Sequence, residues 1–174
     1  MQETAQKSNA SAKLRLEAKD PVLTQLVRHS SRRVHRFRFQ HNLYKLREGR
    51  SMKPETFAHV VSSLLYQHRF GPYFCEPVVA GLDEKSVPYI TGMDSLGAME
   101  EAKDFMVAGT APASLWGVCE SMYREDLEPE ELFEVIGQCL LSGVNRDALS
   151  GWGGIVYIIC KDKVIERTLK GRMD

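Results

Sequence analysis

The sequence lacks any long apolar run. No stretch of its 174 residues approaches the ~20 consecutive apolar residues that a membrane-spanning helix needs. Residues 1–20 combine Gln, Lys, Ser, Asn and charges with little apolar periodicity, and Met1–Thr4 opens no apolar signal segment. We therefore expect no membrane-spanning helix and no secretion, and we interpret residues 1–20 as a flexible tail.

Cysteine is scarce and widely spaced. Cys75, Cys119, Cys139 and Cys160 are separated by 44, 20 and 21 residues, so no pair has the close spacing of a zinc site or a CxxC redox motif. Cys119 and Cys139 fall within apolar helical patterns, where a cysteine behaves as a small hydrophobic residue. All four are predicted to be reduced thiols in a cytosolic or nuclear protein.

Motifs for hydrolysis and cofactor binding are also missing. No Gly-x-Ser-x-Gly elbow occurs, so the sequence offers no serine-hydrolase nucleophile. The run 151–154 (Gly-Trp-Gly-Gly) precedes a strand and has no Lys-Ser/Thr, which excludes phosphate-loop and dinucleotide motifs and favours a tight backbone approach. The five histidines are scattered without partners at ligand spacing and are predicted to be half-buried or at the surface. We expect no metal and no cofactor.

What the chain does contain is enough apolar sequence for one domain and an uneven distribution of charge. With 43% hydrophobic residues, its length suffices to bury a core. Residues 1–50 hold 12 Lys/Arg and 4 Asp/Glu, a net charge of +8, whereas residues 51–174 hold 11 and 19, a net charge of −8. A basic first segment suits nucleic acid or an anionic surface, but opposite charges equally suit cancellation within one unit or across an assembly. Charge alone leaves these alternatives open.

Apolar residues spaced by three and four predict helices. The first begins at Asp20-Pro21 as a cap and first-turn proline and continues as a basic amphipathic stretch to Glu48, with Gly49 as its stop. The second begins near Pro54, where a proline costs no helical hydrogen bond. The four predicted helices span residues 21–48, 54–70, 111–123 and 129–144.

Shorter apolar runs between turn residues predict strands. Two such runs flank a polar turn at 83–86, which is typical of a β-hairpin. The run 155–160 is β-branched and continuous, which predicts a buried strand that pairs back across Asp162-Lys163. This grouping of helices and strands predicts an α+β fold with sheet and helix layers rather than a doubly wound sheet. The predicted strands cover residues 77–81, 88–92, the latter part of 95–101, 105–109, 155–160 and 164–169.

The segment Arg32–Phe39 interleaves four arginines with two phenylalanines. Basic residues alternating with aromatics are typical of nucleic-acid-binding surfaces. On a helix, however, the aromatics would turn inward while the guanidinium groups reach solvent, which is ordinary packing. We favour packing and keep nucleic-acid binding as the alternative.

Several longer motifs are more specific than these patterns. They are Asn42–Glu48, Leu65–Phe74, Glu76–Leu82, Ala102–Phe105, Cys119–Ser121, Asn145–Gly153 and Arg167–Asp174. In these motifs, and in their order, the chain resembles the eukaryotic proteasome β-type subunits, and among these the β3 type. The resemblance runs from about Arg36 to the end, so we divide the chain into an atypical basic segment, 1–35, and a β-subunit domain, 36–174.

The resemblance implies a fold, a location and partners. The implied fold is the layered αββα sandwich of amino-terminal-nucleophile hydrolases, in which two antiparallel sheets lie between helices. Because nothing in residues 1–35 resembles the family's opening strands, we expect this chain to lack them. The resemblance also implies a place in the inner rings of the 20S core particle, in cytoplasm and nucleus, among other proteasome alpha and beta subunits and without contact to a membrane.

The resemblance further identifies candidate site residues. Active members use an amino-terminal threonine as the nucleophile, with its own amine as the base. Asp147 and Ser150 match the aspartate and serine that support it, and Gly109 with its neighbours matches a supporting loop more loosely. Thr4 and Thr24 lack the Gly-Thr-Thr context of a processed precursor. We therefore predict that the matched positions are vestigial and that the chain contributes no catalytic residue.

The predicted function is a non-catalytic, structural β3-type subunit of the 20S core particle. It would take part in ubiquitin-dependent protein degradation through assembly with active subunits. One alternative is a truncated product that remains an orphan, because the loss of opening strands would expose a sheet edge and apolar surface. A less favoured alternative is a basic nucleic-acid-binding module built on residues 28–38.

Overall fold

The computed structural model describes residues 22–26 and 31–173, with residues 22–26 and 31–34 described through their backbone alone. The predicted tail, residues 1–20, lies outside the described part. The mixed α/β content agrees with the predicted class. The described residues form four helices and six strands, in the order β1 Val22–Leu26, α1 Ser31–Glu48, α2 Pro54–Gln67, β2 Pro77–Leu82, β3 Pro88–Met93, β4 Met99–Ala102, α3 Pro112–Met122, α4 Pro129–Val144, β5 Gly153–Ile159 and β6 Val164–Lys170.

The first four strands form one antiparallel sheet in the order β1-β2-β3-β4. The predicted hairpin is confirmed as β2 and β3. Asp83 closes its turn, because its Oδ1 accepts hydrogen bonds from the backbone N–H groups of Lys85 and Val87, both at 2.8 Å. Asp94 closes the turn between β3 and β4 in the same way. Short acidic side chains thus set both turns by satisfying backbone donors.

The core of this part lies between α2 and the sheet. Phe57, Val61 and Leu65 recur every four residues along α2 and are fully buried. They belong to one cluster with Val79 of β2 and Met93 of β3. The predicted helix beginning at residue 54 is confirmed, and its apolar face covers the middle of the sheet.

The later elements form a second unit of packing. α4 spans the predicted residues 129–144 and packs on both α3 and β5, while β5 pairs with β6 in a two-stranded sheet. Leu140 lies directly against Gly154, where any side chain on the strand would collide with it. The prediction that β5 is buried throughout needs correction, because only Val156 and Ile158 are buried and they alternate with half-buried residues.

An ion pair fastens β6 to the first turn of α4. The Arg167 guanidinium donates to both carboxylate oxygens of Glu130, at 2.5 and 2.6 Å, and lies 4.6 Å from the ring centroid of Phe133. The hydrogen bonds from Arg167 lower the pKa of the Glu130 carboxyl. Bidentate geometry gives this pair a fixed orientation that a single surface contact lacks.

The first predicted helix begins later than expected. The sequence predicted helix from Pro21, but Val22–Leu26 form β1 on the edge of the sheet and α1 begins at Ser31. Pairing with β2 satisfies backbone N–H and C=O groups of this segment. An isolated helix of a few residues, in contrast, is only marginally stable. The predicted end is confirmed, since α1 ends at Glu48 and Gly49 follows with φ of 68°, a left-handed conformation that favours glycine.

The prediction of a strand at 105–109 is wrong, since this segment forms no strand. Its apolar side chains are used for packing instead. The Phe105 ring lies 5.4 Å from that of Trp116, in the middle of α3, and 5.7 Å from that of Tyr123, directly after the helix. Met106 lies against Gly92 in the sheet. A short apolar run does not indicate by itself whether the segment will pair with a neighbouring strand or pack its side chains against a helix.

Only one of the two phenylalanines in the arginine-rich segment turns inward. Phe37 is buried, whereas Phe39 is 62% exposed, because residues two apart point to different sides of a helix. Arg36 donates a hydrogen bond to the Tyr73 hydroxyl at 2.8 Å and lies 3.2 Å from Nε2 of His68. At this arginine, the packing interpretation is supported.

One histidine also differs from its prediction. His41, one turn after Phe37 on α1, is 1% exposed instead of half-buried or at the surface. Its ring meets that of Phe57 edge to face at 6.0 Å, and neither ring nitrogen has a hydrogen-bond partner. Burial of two unsatisfied polar atoms in an apolar cluster costs stability.

Replacing His41 with leucine tests this cost. We expect His41→Leu to raise the free energy of unfolding by about 1–2 kcal/mol, because a side chain of similar size would fill the site without unpaired nitrogens. Urea unfolding followed by circular dichroism measures the change. His59→Leu, at an exposed position of α2, is the matched control and should change little. A lower stability of His41→Leu would mean that the imidazole has a partner.

Candidate functional site

The candidate site lies where the loop before α3 meets the loop after α4. Thr110 precedes α3, and its hydroxyl donates a hydrogen bond to Oδ2 of Asp147. The same hydroxyl oxygen lies 2.7 Å from Oγ of Ser150. All three side chains are half-buried. The Thr110 hydroxyl thus joins two segments that are 37 to 40 residues apart in the sequence, through its contacts with one carboxylate and one hydroxyl.

Local backbone features place these three groups. Gly109 has φ of 135°, which glycine adopts readily and which turns the chain before Thr110. After α4, the Asp147 N–H donates to the carbonyl of Val144 at 3.1 Å and continues the last turn of the helix. Oδ1 of Asp147 accepts from the Leu149 N–H at 3.2 Å, so the carboxylate also holds its own loop.

The following glycine-rich run makes the close backbone approach that its composition predicted. The Gly171 N–H donates to the Trp152 carbonyl at 3.2 Å, and a Cβ on Gly171 would lie 3.0 Å from the nitrogen of Gly153. Trp152 and Gly153 both have positive φ, at 70° and 149°. The run therefore joins the start of β5 to the residues that follow β6.

A cavity of about 160 Å³ opens beside the cluster. Asp147 and Ser150 line the cavity. Thr110 is not among the lining residues, but its hydroxyl contacts both of these side chains. Its charged groups are two guanidinium groups and one carboxylate. The residues lining it are Val144, Asn145, Arg146, Asp147, Ser150, Gly151, Trp152 and Arg172.

The cluster can orient and hold loops, but the three groups do not form an activated nucleophile. A serine or threonine hydroxyl requires a base such as an imidazole or an amine to become nucleophilic at neutral pH. Thr110, Asp147 and Ser150 supply two hydroxyls and a carboxylate only. Within residues 22–26 and 31–173, no group of three or more His, Cys, Asp or Glu side chains is arranged to hold a metal ion.

The structure brings together two of the three residues selected from the sequence. Asp147 and Ser150 share one partner, whereas Gly109 contributes only its backbone turn. Thr24 lies in the middle of β1, paired opposite Val79, and Thr4 lies outside the described residues. Sequence reasoning included Thr110 only among the neighbours of Gly109 and did not single it out, although a hydroxyl residue directly after Gly109 and before a helix-starting proline was the available signal.

Comparison with known proteins decides the family. The family model described as "Proteasome: Proteasome subunit" matches residues 31–159, which include Thr110, Asp147 and Ser150. The chain is 67% identical over 139 residues to a protein of Picea mariana named "Proteasome subunit beta type-3", which covers 80% of this chain and 68% of the relative. The chain belongs to the proteasome subunit family.

Two further relatives agree. "Proteasome subunit beta type-3-A" of Arabidopsis thaliana is 62% identical over 136 residues, covering 78% of this chain and 67% of the relative. "Proteasome subunit beta type-3" of Saccharomyces cerevisiae is 59% identical over 139 residues, covering 79% and 68%. The predicted resemblance is confirmed. This proteasome subunit is of beta type-3, the group of non-catalytic structural subunits of the 20S core particle.

The geometry of the site agrees with a non-catalytic subunit. Its carboxylate accepts from a side-chain hydroxyl and from the backbone, so both of its oxygens are used to hold two loops together. No helix in the described part of this proteasome subunit is long and apolar enough to cross a membrane.

Substitution of Thr110 tests whether the cluster is structural. Thr110→Val keeps the shape but removes the hydroxyl, so Asp147 loses a donor and Ser150 a partner. We expect the free energy of unfolding to fall by about 1–3 kcal/mol, measured by urea unfolding. Thr110→Ser keeps the hydroxyl and is the control, with a change of less than half as much. Equal stability of the valine variant and the parent would show that the contact contributes nothing to the fold.

Proposed function

We propose that the chain acts as a structural subunit in a hetero-oligomeric ring of proteasome alpha and beta subunits, in cytoplasm and nucleus. It would contribute to ubiquitin-dependent protein degradation by positioning active neighbours rather than by hydrolysing peptides. Neither a membrane nor a nucleic acid is among the proposed partners. The relatives' shared name supports assembly with other proteasome subunits.

The observation that carries this proposal is an aromatic surface that the described fold leaves uncovered. Tyr66 lies in the last turn of α2, and Phe70 and Phe74 lie in the segment that follows the helix. The Phe70 and Phe74 side chains are 91% and 88% exposed. The Arg69 guanidinium lies 4.8 Å from the Tyr66 ring centroid and 4.5 Å from that of Phe70. Aromatic and arginine side chains grouped at a surface are typical of protein interfaces.

We propose that the cluster at Thr110, Asp147 and Ser150 is a vestigial site kept for its structural contacts. Its hydroxyls and carboxylate occupy the loops that support catalysis in active relatives, with Gly109 as the turn directly before Thr110. Here their hydrogen bonds are made to one another. The cluster then contributes to the rigidity of the α3–α4 end, which a structural subunit requires as much as an enzyme does.

We also propose that the two sheets and four helices are parts of the layered αββα sandwich, with residues 36–174 as the β-subunit domain and residues 1–35 as an atypical segment that does not reproduce the family's first strands. β1 falls within that segment yet extends the sheet of the domain. The boundary at residue 36 is therefore one of sequence resemblance, and the fold continues across it.

Assembly can be tested in the chain's own cells. A copy tagged at Asp174 is expected to co-migrate with the large peptidase-active particle when native extract is fractionated by size. Phe70→Asp with Phe74→Asp should lower the incorporated fraction at least tenfold, because charged side chains would be buried at the interface. Lys85→Glu, in the exposed turn between β2 and β3, is the control and should leave incorporation unchanged. A parent chain found only as a small or aggregated species would favour the orphan product instead.

Absence of catalysis is a separate prediction. The purified chain is expected to hydrolyse fluorogenic peptides no faster than buffer, since its hydroxyl cluster has no base. Asp147→Ala should give the same trace. Hydrolysis by the parent chain that disappears in Asp147→Ala would contradict the proposal and assign the cluster a catalytic role.

A further inference from the structure

A glycine at the interface between α3 and α4 lets the two helices approach each other closely. Leu115, in the first turn of α3, lies against Gly143 in the last turn of α4, where a Cβ would come within 2.5 Å of the leucine side chain. At the other end of α3, Met122 accepts a hydrogen bond from the Cys139 thiol at 3.9 Å. The helices therefore run in opposite directions with a fixed register.

This register sets two cysteines opposite each other. Cys119 lies four residues after Leu115, and Cys139 lies four residues before Gly143, so one helical turn from the first contact brings both thiols to the same level. Cys119 and Met122 are three residues apart and share a face of α3, and the Cys139 thiol contacts the Met122 sulfur. Both are free thiols, with Cys139 4% exposed and Cys119 half-buried.

We propose that Cys119 and Cys139 form a modification site at which a hydroperoxide closes a reversible disulfide between α3 and α4. A disulfide requires two Cβ atoms about 3.5–4.5 Å apart and Cα atoms within roughly 7 Å. Because the register sets Cys119 and Cys139 opposite each other across the helix interface, rotation about χ1 brings the two sulfurs together.

The reaction has two balanced steps. A hydroperoxide reaches the more exposed thiol first, so the Cys119 thiolate attacks the peroxide oxygen. The S–O bond forms, the O–O bond breaks, and the leaving oxygen takes up the thiol proton. The Cys139 thiolate then attacks the resulting sulfenic sulfur, the S–S bond forms, and the expelled hydroxide leaves as water with the second thiol proton. Two thiols lose two electrons, and hydrogen peroxide is reduced to two waters.

The environment makes this site slow at neutral pH. Burial, followed by the neighbouring Cys139, raises the pKa of the Cys119 thiol to about 12. Because the thiolate is the reacting form, its fraction rises about tenfold per pH unit below that pKa. The disulfide should therefore form slowly near pH 7 and about a hundredfold faster near pH 9.

Peptide mapping of the full chain tests the proposal. The native chain is treated with hydrogen peroxide at pH 9, free thiols are blocked with N-ethylmaleimide, and the protein is digested with trypsin without reduction. Cleavage after Lys103, Arg124 and Arg146 places the two cysteines on separate peptides, 104–124 and 125–146. We expect one product at their summed mass less two hydrogens, at least tenfold more abundant than any other cysteine pairing and lost on treatment with dithiothreitol.

Variants separate this site from general thiol oxidation. Cys160→Ser, which removes another half-buried thiol, should leave the cross-linked peptide unchanged. In Cys139→Ala the cross-link should disappear and a dimedone adduct of the sulfenic acid should accumulate on Cys119. Equal amounts of all cysteine pairings, linkage only between two chains, or a rate independent of pH would each overturn the proposal. Because the parent chain alone decides the pairing, the test does not depend on how well a variant folds.

Discussion

Burial of one face of α2 against the sheet holds the first part of this protein together. Phe57, Val61 and Leu65 are fully buried and contribute roughly 1.5–3 kcal/mol each by leaving water. Their contacts with Val79 place α2 across β2 and β3, and α1 then packs against α2 through Phe37. A sheet of four short strands has little stability of its own, so its position and that of α1 both depend on this helix.

A different constraint governs the second part of the protein, α3 to β6. There, glycines that let neighbouring elements approach closely matter more than the apolar surface area that is buried. Gly143 lets α3 approach α4, and Gly154 lets Leu140 of α4 reach β5. Because α3 and α4 run in opposite directions, the loop that enters one and the loop that leaves the other meet at one end. The hydroxyl of Thr110 joins these loops through Asp147 and Ser150. The candidate site is therefore a consequence of how the helix pair packs.

Under the proposed function, this cluster keeps the surroundings of a reaction without performing it. The supporting carboxylate is held by a side-chain hydroxyl and by the Leu149 N–H, so it stabilises a loop junction. Meanwhile, Phe70 and Phe74 remain at the surface beside a packed core. A structural subunit needs rigidity at such loop junctions and, as proposed above, surface side chains that contact its neighbours.

Sequence and structure each determined different features. Strong periodicity, with a proline and glutamates in the first turn, located α4 from Pro129 to Val144, and the acidic turn at Asp83 located the first hairpin, because those signals are local. The long motifs, together with Asp147 and Ser150, also identified the family. Local signals could not show that Val22–Leu26 pair as a strand, since only the free edge of β2 favours that choice over a helix. They could not reveal that the 105–109 run packs on α3, that His41 is enclosed, or that Thr110 completes the site. Each of these outcomes depends on a partner far away in the chain, and only the tertiary structure brings such partners within contact distance.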